Sequence, residues 1–250
     1  MKTSTKTPDA SPRLTSRWLT ALLTAGALAG LGLVNTPTGA PLGLGAAHAQ
    51  ANELNAEALT DKVQKFYTEM KDFQARFEQI YTDQAAGKET SSGGRVFFKK
   101  PGKMRWDYLT ADKKLQKVLV SNGADFTIYE AEHNQFYRQS LGDSKLPTAL
   151  RFLMGDGDIK VEFNAALKPK SNNGDLRLEL TPKKDEGKYK KLVFVVDPAT
   201  YSVKETIVYD PYGNTNRIVF HKPLLNKSLP DSGFDFSPPK DATQLGPGRD

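Results

Sequence analysis

The side chains able to do covalent chemistry are few and poorly placed for it. Beyond residue 50 the chain has two histidines, His133 in a polar turn and His221 at the end of an apolar run. Neither stands in an H-E-x-x-H pair, and no G-x-S-x-G elbow or G-x-x-x-x-G-K-S/T loop occurs. Asp107, Asp210 and the other carboxylates show no spacing that would pair an acid with a base. The stretch Gly155-Asp156-Gly157-Asp158 offers carboxylates to a cation, yet it lacks the further ligands and closing Glu of a calcium loop; it reads as a helix-ending turn. There is no cysteine, which removes thiol nucleophiles, thiolate metal sites and disulfides together. Hydrolase and ATPase chemistry lose their footing, no catalytic residue, metal or cofactor is expected, and binding remains.

What the chain has in quantity is large apolar surface on extended segments: Phe97, Phe98, Trp106, Tyr108, Phe126, Ile128, Tyr129, Phe136, Tyr137, Phe194 and Phe220. Any one of these is an ordinary core residue by type. Runs such as Leu192-Val193-Phe194-Val195-Val196, however, are apolar on both faces, more than a sheet with one solvated side needs. A curved sheet with a greasy interior fits that excess.

The elements that must carry these residues follow from periodicity. Leu59, Val63, Phe66, Met70 and Phe73 recur at helical spacing and form one stripe. The period then falls to two, with Phe73, Ala75, Phe77 and Tyr81 on one side of an extended segment. Strands are predicted over 94–99, 103–109, 115–121, 125–130 and 135–140, joined by Pro101-Gly102, Ala111-Asp112 and Asn122-Gly123; connections this short join antiparallel neighbours. A second short helix is predicted over 146–154, with Pro147 in its first turn and Leu150 and Leu153 on its apolar stripe. Strands resume over 159–163, 175–181, 190–197, 203–210 and 215–221. The Pro-rich tail offers Phe234 and Phe236 as docking points. The result is about eleven strands and two apolar-faced helices. A sheet of that size curls, and the helices must cover its hollow face, as a fixed layer or as a lid.

The first 49 residues read as a cleaved signal peptide. Lys2, Lys6, Arg13 and Arg17 precede an uncharged stretch from Trp18 to Val34, and Ala47-His48-Ala49 supplies the small residues of a cleavage site before Gln50. The expected product is a soluble extracytoplasmic chain without a lipid-bearing cysteine. Residues 50–239 form its one domain and 240–250 a flexible tail. Removing the leader's four basic and one acidic residues leaves 31 basic against 28 acidic side chains and a net charge of +3. A nucleic-acid role thereby loses its compositional support.

The residues Gly94-Arg95-Val96-Phe97-Phe98-Lys99-Lys100-Pro101-Gly102-Lys103-Met104-Arg105-Trp106-Asp107-Tyr108 resemble the G-x-L-x-x-K-R-P-G-x-F-R-W-x-Y hairpin of the periplasmic outer-membrane lipoprotein carrier family, LolA. The resemblance continues through Phe73 to Gln79, Leu119 to Gly123, the Pro147 helix, Val196-Asp197-Pro198 and the terminal Phe234 to Pro239. It implies a mainly β fold, an incomplete, half-open antiparallel β-barrel whose hydrophobic cavity is covered by helices. It also implies a carrier that takes lipoproteins by their acyl chains from an inner-membrane ATP-driven releasing complex and hands them to an outer-membrane, LolB-like receptor. By that resemblance Val63, Phe66, Tyr67 and Met70 with Leu150 and Leu153 form the lid, Phe97 and Trp106 line the cavity, and the chain works as a monomer. The family places Arg immediately before the hairpin proline, as a latch on helix and loop carbonyls. Here that position is Lys100, with three donors on a flexible stem in place of a rigid fork.

Two rival readings differ in class. An envelope sensor of mislocalised lipoproteins would share the half-barrel but needs a further C-terminal domain, for which the residues after His221 leave little room. An extracytoplasmic hydrolase would need the nucleophile and base that are missing.

Overall fold

The structure, a computed structural model, describes residues 54–141, 157–184, 187 and 189–246. The predicted helix over 146–154, with Leu150 and Leu153, lies outside these residues, as does the leader.

Helix α1 spans Ala56–Glu69, started by Asn55, whose side chain accepts from the Ala58 amide at 2.8 Å. Its stripe buries Leu59, Val63, Tyr67 and the capping Met70. Twelve strands follow among the described residues: β1 Asp72–Asp83, β2 Lys88–Lys99, β3 Lys103–Leu109, β4 Leu115–Asn122, β5 Asp125–Glu130, β6 Gln135–Ser140, β7 Phe163–Lys168, β8 Leu176–Pro182, β9 Lys191–Val196, β10 Val203–Tyr209, β11 Thr215–Leu225 and β12 Thr243–Leu245. A single turn of helix, α2, covers Ile159–Glu162, and a 3-10 turn Asp231–Phe234.

Three differences from the sequence reading have local causes. Residues 159–162 are helical where a strand was predicted, because Asp158 caps them, accepting from the Lys160 and Val161 amides at 2.8 and 3.3 Å. That bond also explains the Gly-Asp-Gly-Asp stretch at its described end: Asp158 starts a helical turn. β1 and β2 are each twelve residues long, because the polar segment 88–93 pairs with β1 as far as Asp83↔Lys88; polar on both faces, it carries no apolar alternation to announce a strand. The expected tail from 240 supplies β12, which pairs in parallel with β6.

All twelve strands make one sheet in the order β12-β6-β5-β4-β3-β2-β1-β11-β10-β9-β8-β7. Every neighbouring pair except β12 with β6 is antiparallel. The sheet is thus two meanders, β1–β6 and β7–β11, welded where β1 pairs with β11 from Phe73↔Leu225 to Thr82↔Thr215. Its edges, β7 and β12, do not meet, so it is an open sheet and not a closed barrel. The β2–β3 contact is tight: a Cβ at Gly94 would lie 1.8 Å from the Asp107 carbonyl oxygen, so β2 can approach β3 there only with glycine.

α1 lies on one face, called inner below, against β7, β8 and α2. The main core is on that face. A smaller one, Val118, Val120 and Tyr129 with Phe136, Phe236 and Ala242, sits on the outer face.

Candidate functional site

A helix leaves its last carbonyls without partners inside the helix, and α1 has no basic residue in its final turn. The sheet supplies one. Lys100, in the turn between β2 and β3, donates its ammonium to the Tyr67 carbonyl and to the Thr68 carbonyl at 3.0 Å. Its backbone amide bonds the Lys71 carbonyl at 3.0 Å. The cation meets the negative end of the helix dipole. Partial burial of the ammonium pulls its pKa below the ordinary lysine value.

The other attachments of α1 are on its flanks. Lys160 reaches Asp61 at 2.6 Å and Glu57 at 3.2 Å. The Gln64 side chain accepts from the Ile159 amide at 2.9 Å, and the Lys62 ammonium lies 4.5 Å from the centre of the Tyr201 ring. Tyr67, buried so deeply that its hydroxyl is held protonated far above the normal tyrosine range, accepts from the Val203 amide at 3.4 Å. The exposed ion pairs contribute little each; α1 is held chiefly by its apolar stripe and by the bonds at its C-terminus.

Beneath the helix's C-terminal end the inner face is a field of aromatic rings. Phe77 and Trp106 meet edge to face at 4.9 Å, Phe98 and Trp106 at 5.7 Å, and Phe73 and Phe220 at 5.6 Å. Such T-shaped pairs stabilise beyond the area they bury. Trp106 is 3 % exposed and stands on the inner face at the centre of this field.

Phe97 does not. Side chains alternate along a strand, and Val96 and Phe98 point inward. Phe97 pairs with Arg105, in the row that continues through Val120, Thr127 and Arg138 on the outer face. The inward residue of that pair is Phe98. Two adjacent phenylalanines look alike to any periodicity; only the register with Trp106 and Met104 separates them. Phe73, Phe77, Met104 and Phe220 were likewise not singled out as lining residues. The period-two signal in 73–81 could have given Phe73 and Phe77, whereas Phe220 needs the β1–β11 weld. On α1, Val63, Tyr67 and Met70 are buried, while Phe66 is half-buried with its ring 5.1 Å from that of Tyr67.

Away from α1 the inner face opens. Trp106, Leu119, Ile128 and Tyr137 lie in one cross-strand row, and burial falls along it. Leu119 and Ile128 are half-buried and Tyr137 is 36 % exposed.

Among the described residues no three acidic or histidine side chains converge as metal ligands, and no helix is long and apolar enough to cross a membrane. The inner face is thus apolar throughout this row, closed near α1, whose C-terminal carbonyls are held by one cation, and partly open away from it.

The family model for "Outer membrane lipoprotein carrier protein LolA" matches residues 68–237. An outer-membrane lipoprotein carrier protein of Chromobacterium violaceum is 29% identical over 180 residues, covering 72% of this chain and 83% of the relative. One from Methylococcus capsulatus is 26% identical over 179 residues, covering 71% and 83%. Among solved structures, a LolA superfamily protein from Nitrosomonas europaea aligns over 73% of this chain and 98% of its own, at 14% identity and a TM-score of 0.40. The match spans the helix end, the hairpin that carries Lys100 and Trp106, and the weld, and so the chain belongs to the LolA family of outer membrane lipoprotein carriers.

Proposed function

We propose that this protein is the periplasmic form of such a carrier: cleaved between Ala49 and Gln50, it holds the acyl chains of lipoproteins against its inner face while they cross water. The physical need is plain. Each buried CH₂ contributes about 0.8 kcal/mol to membrane anchoring, so a lipoprotein with two or three chains does not leave a bilayer and cross an aqueous space unaided. Energy for extraction must come from a partner, an ATP-driven inner-membrane complex, and the guest must pass on to an outer-membrane receptor.

The observation that carries this reading is the bonding of Lys100 to the α1 carbonyls beside the aromatic field. In the empty carrier it holds α1 down as a lid. A guest must break those bonds to enter, so the latch lowers affinity and favours release; a shift of this kind requires contacts that differ between the two states. Val63, Tyr67 and Met70 form the lid's underside with Phe66 at its margin, and Trp106 with Phe98 forms the wall.

The test is recovery of the protein from the native envelope, with intact mass and bound lipid measured together. The expected result is a chain beginning at Gln50, without lipid attached, a fraction of it in complex with triacylated or diacylated lipoproteins. A membrane-bound chain that retains Trp18, or a soluble one that never carries acylated cargo, would refute the proposal.

A further inference from the structure

The aromatic field ends abruptly, and the residues at its end are polar. Two positions beyond Phe77 on β1, roughly 7 Å along the strand, the inward side chain is Gln79. Its partner across to β2 is Ser92 and its partner on β11 is Ile218, and its side chain reaches diagonally to Tyr108 on β3, one row nearer the aromatic field and paired there with Lys117 on β4, and to Asn216 on β11, one row beyond. Five adjacent strands therefore each contribute a polar side chain to a belt that slants across three rows of the inner face, away from the end where Lys100 meets α1.

These groups are joined to one another. The Tyr108 hydroxyl donates to Gln79 Oε1 at 2.8 Å, Ser92 Oγ donates to the same oxygen at 3.4 Å, and Gln79 Nε2 donates to Asn216 Oδ1 at 2.9 Å. The Lys117 ammonium lies 4.3 Å from the centre of the Tyr108 ring. Tyr108 marks the boundary itself. Its ring stands edge to face with Phe77 at 5.0 Å, while its hydroxyl points into the belt. Burial raises the pKa of that hydroxyl, which keeps it a donor.

We propose that this Gln79-Tyr108-Asn216 belt is the stop that sets how long an acyl chain the carrier accommodates. The inference rests on the carrier reading above and adds a specificity to it. A chain growing along the aromatic field gains burial with each methylene, about fourfold in affinity. A methyl group reaching Gln79 instead removes water from amide and hydroxyl groups whose bonds it cannot replace, and the gain stops.

The experiment titrates the purified protein and two variants with synthetic S-diacylglyceryl-cysteine peptides of stepwise increasing acyl length. For the wild type, affinity is expected to climb and then level off. Gln79→Leu extends the apolar surface past the belt and should move the plateau to longer chains, with the longest peptide bound roughly tenfold more tightly than by the wild type. Tyr108→Phe deletes one hydroxyl without changing the ring, and should move it the same way by less; it serves as the readout if Gln79→Leu does not fold. A wild-type plateau that both variants leave in place would overturn the belt as the stop while leaving the carrier reading intact. Failure of the wild type to bind any of the peptides would overturn both.

Discussion

The two ends of the sheet, β8–β9 and β4–β6, differ in which face they bury. Under α1, the inward residues Leu178, Leu180, Leu192, Phe194 and Val196 have essentially no exposed surface, while the outer face of β8 to β11 carries ion pairs such as Glu179 with Lys191 and Glu205 with Arg217, both at 2.7 Å, beside a buried Val193. Across the weld the buried inner face continues through Phe77, Phe98 and Trp106 of β1 to β3, and from β4 outward the pattern changes. The inner residues Leu119, Ile128 and Tyr137 are half-buried or exposed, and it is the outer face that is packed: Val118, Val120 and Tyr129 lie beneath Phe136 and Phe236. The strap that brings Phe236 there is fixed by Asp231 to Lys99 at 2.5 Å and Lys103 at 2.7 Å, and by Asp72, whose carboxylate accepts from the Lys227 and Ser228 amides at 2.7 and 2.9 Å. An antiparallel sheet is stable with one face covered. Bracing the β4–β6 end from outside lets its inner face stay partly open among the described residues without loss of the fold.

The most severe way to break this contrast is to truncate one residue at each end. Leu178→Ala, at the packed end, should cost about 3 kcal/mol of unfolding free energy, read by urea denaturation, and should leave acyl preference unchanged. Ile128→Ala, at the open end, should cost under about 1 kcal/mol yet weaken binding of an acyl probe severalfold. Equal stability losses would end the distinction between core and binding surface.

Trp106 on β3 reaches Phe220 of β11 and is the sole tryptophan of the chain that the proposed cleavage after Ala49 would leave. Adding a diacylated peptide should shift or quench its emission by an amount that tracks displacement of a fluorescent acyl probe. An unchanged spectrum during demonstrated binding would move the guest away from the weld.

Lys100 is the next smaller effect. Lys100→Leu should bind cargo at least as tightly and release it roughly fivefold more slowly, as expected for removing about 1 kcal/mol from the closed state; Lys100→Arg should speed release. Identical handover rates for all three would reduce Lys100 to a solvated hairpin charge.

The smallest expected effect is on the outer strap. Lys103 first, then Lys99, hold the Asp231 pKa down to about 2 from 3.8. A carboxylate depressed in the folded state adds stability above its unfolded value and loses it as pH falls. Amide exchange around 231–236 should therefore quicken as pH drops from 3.8 toward 2, with exchange in β8 and β9 unaffected, and Asp231→Asn should abolish the transition.

Much of this was legible in residues 56–140. Helical spacing located α1, short turns imposed antiparallel neighbours, and the Lys-Pro-Gly hairpin placed Lys100 and Trp106. The legible parts share a cause: their signals are local, set by spacing along one segment and by turn chemistry. The sequence by itself also determined that the chain has no thiol chemistry, since it contains no cysteine. What only the tertiary structure decided depends on pairings between distant segments. The choice of Phe98 over Phe97 is a matter of register against β3, because a one-residue shift exchanges the faces of a strand. The polar segment 88–93 is a strand only because β1 lies beside it. The weld of β1 to β11, more than 130 positions apart, brings Phe220 to Trp106 and Asn216 to Gln79, and no local pattern in either segment encodes its partner. The bond from Lys100 to α1 follows the same rule: the lysine is visible in the sequence, but the carbonyls it meets are free only because a helix ends there, and near only because the sheet folds them together.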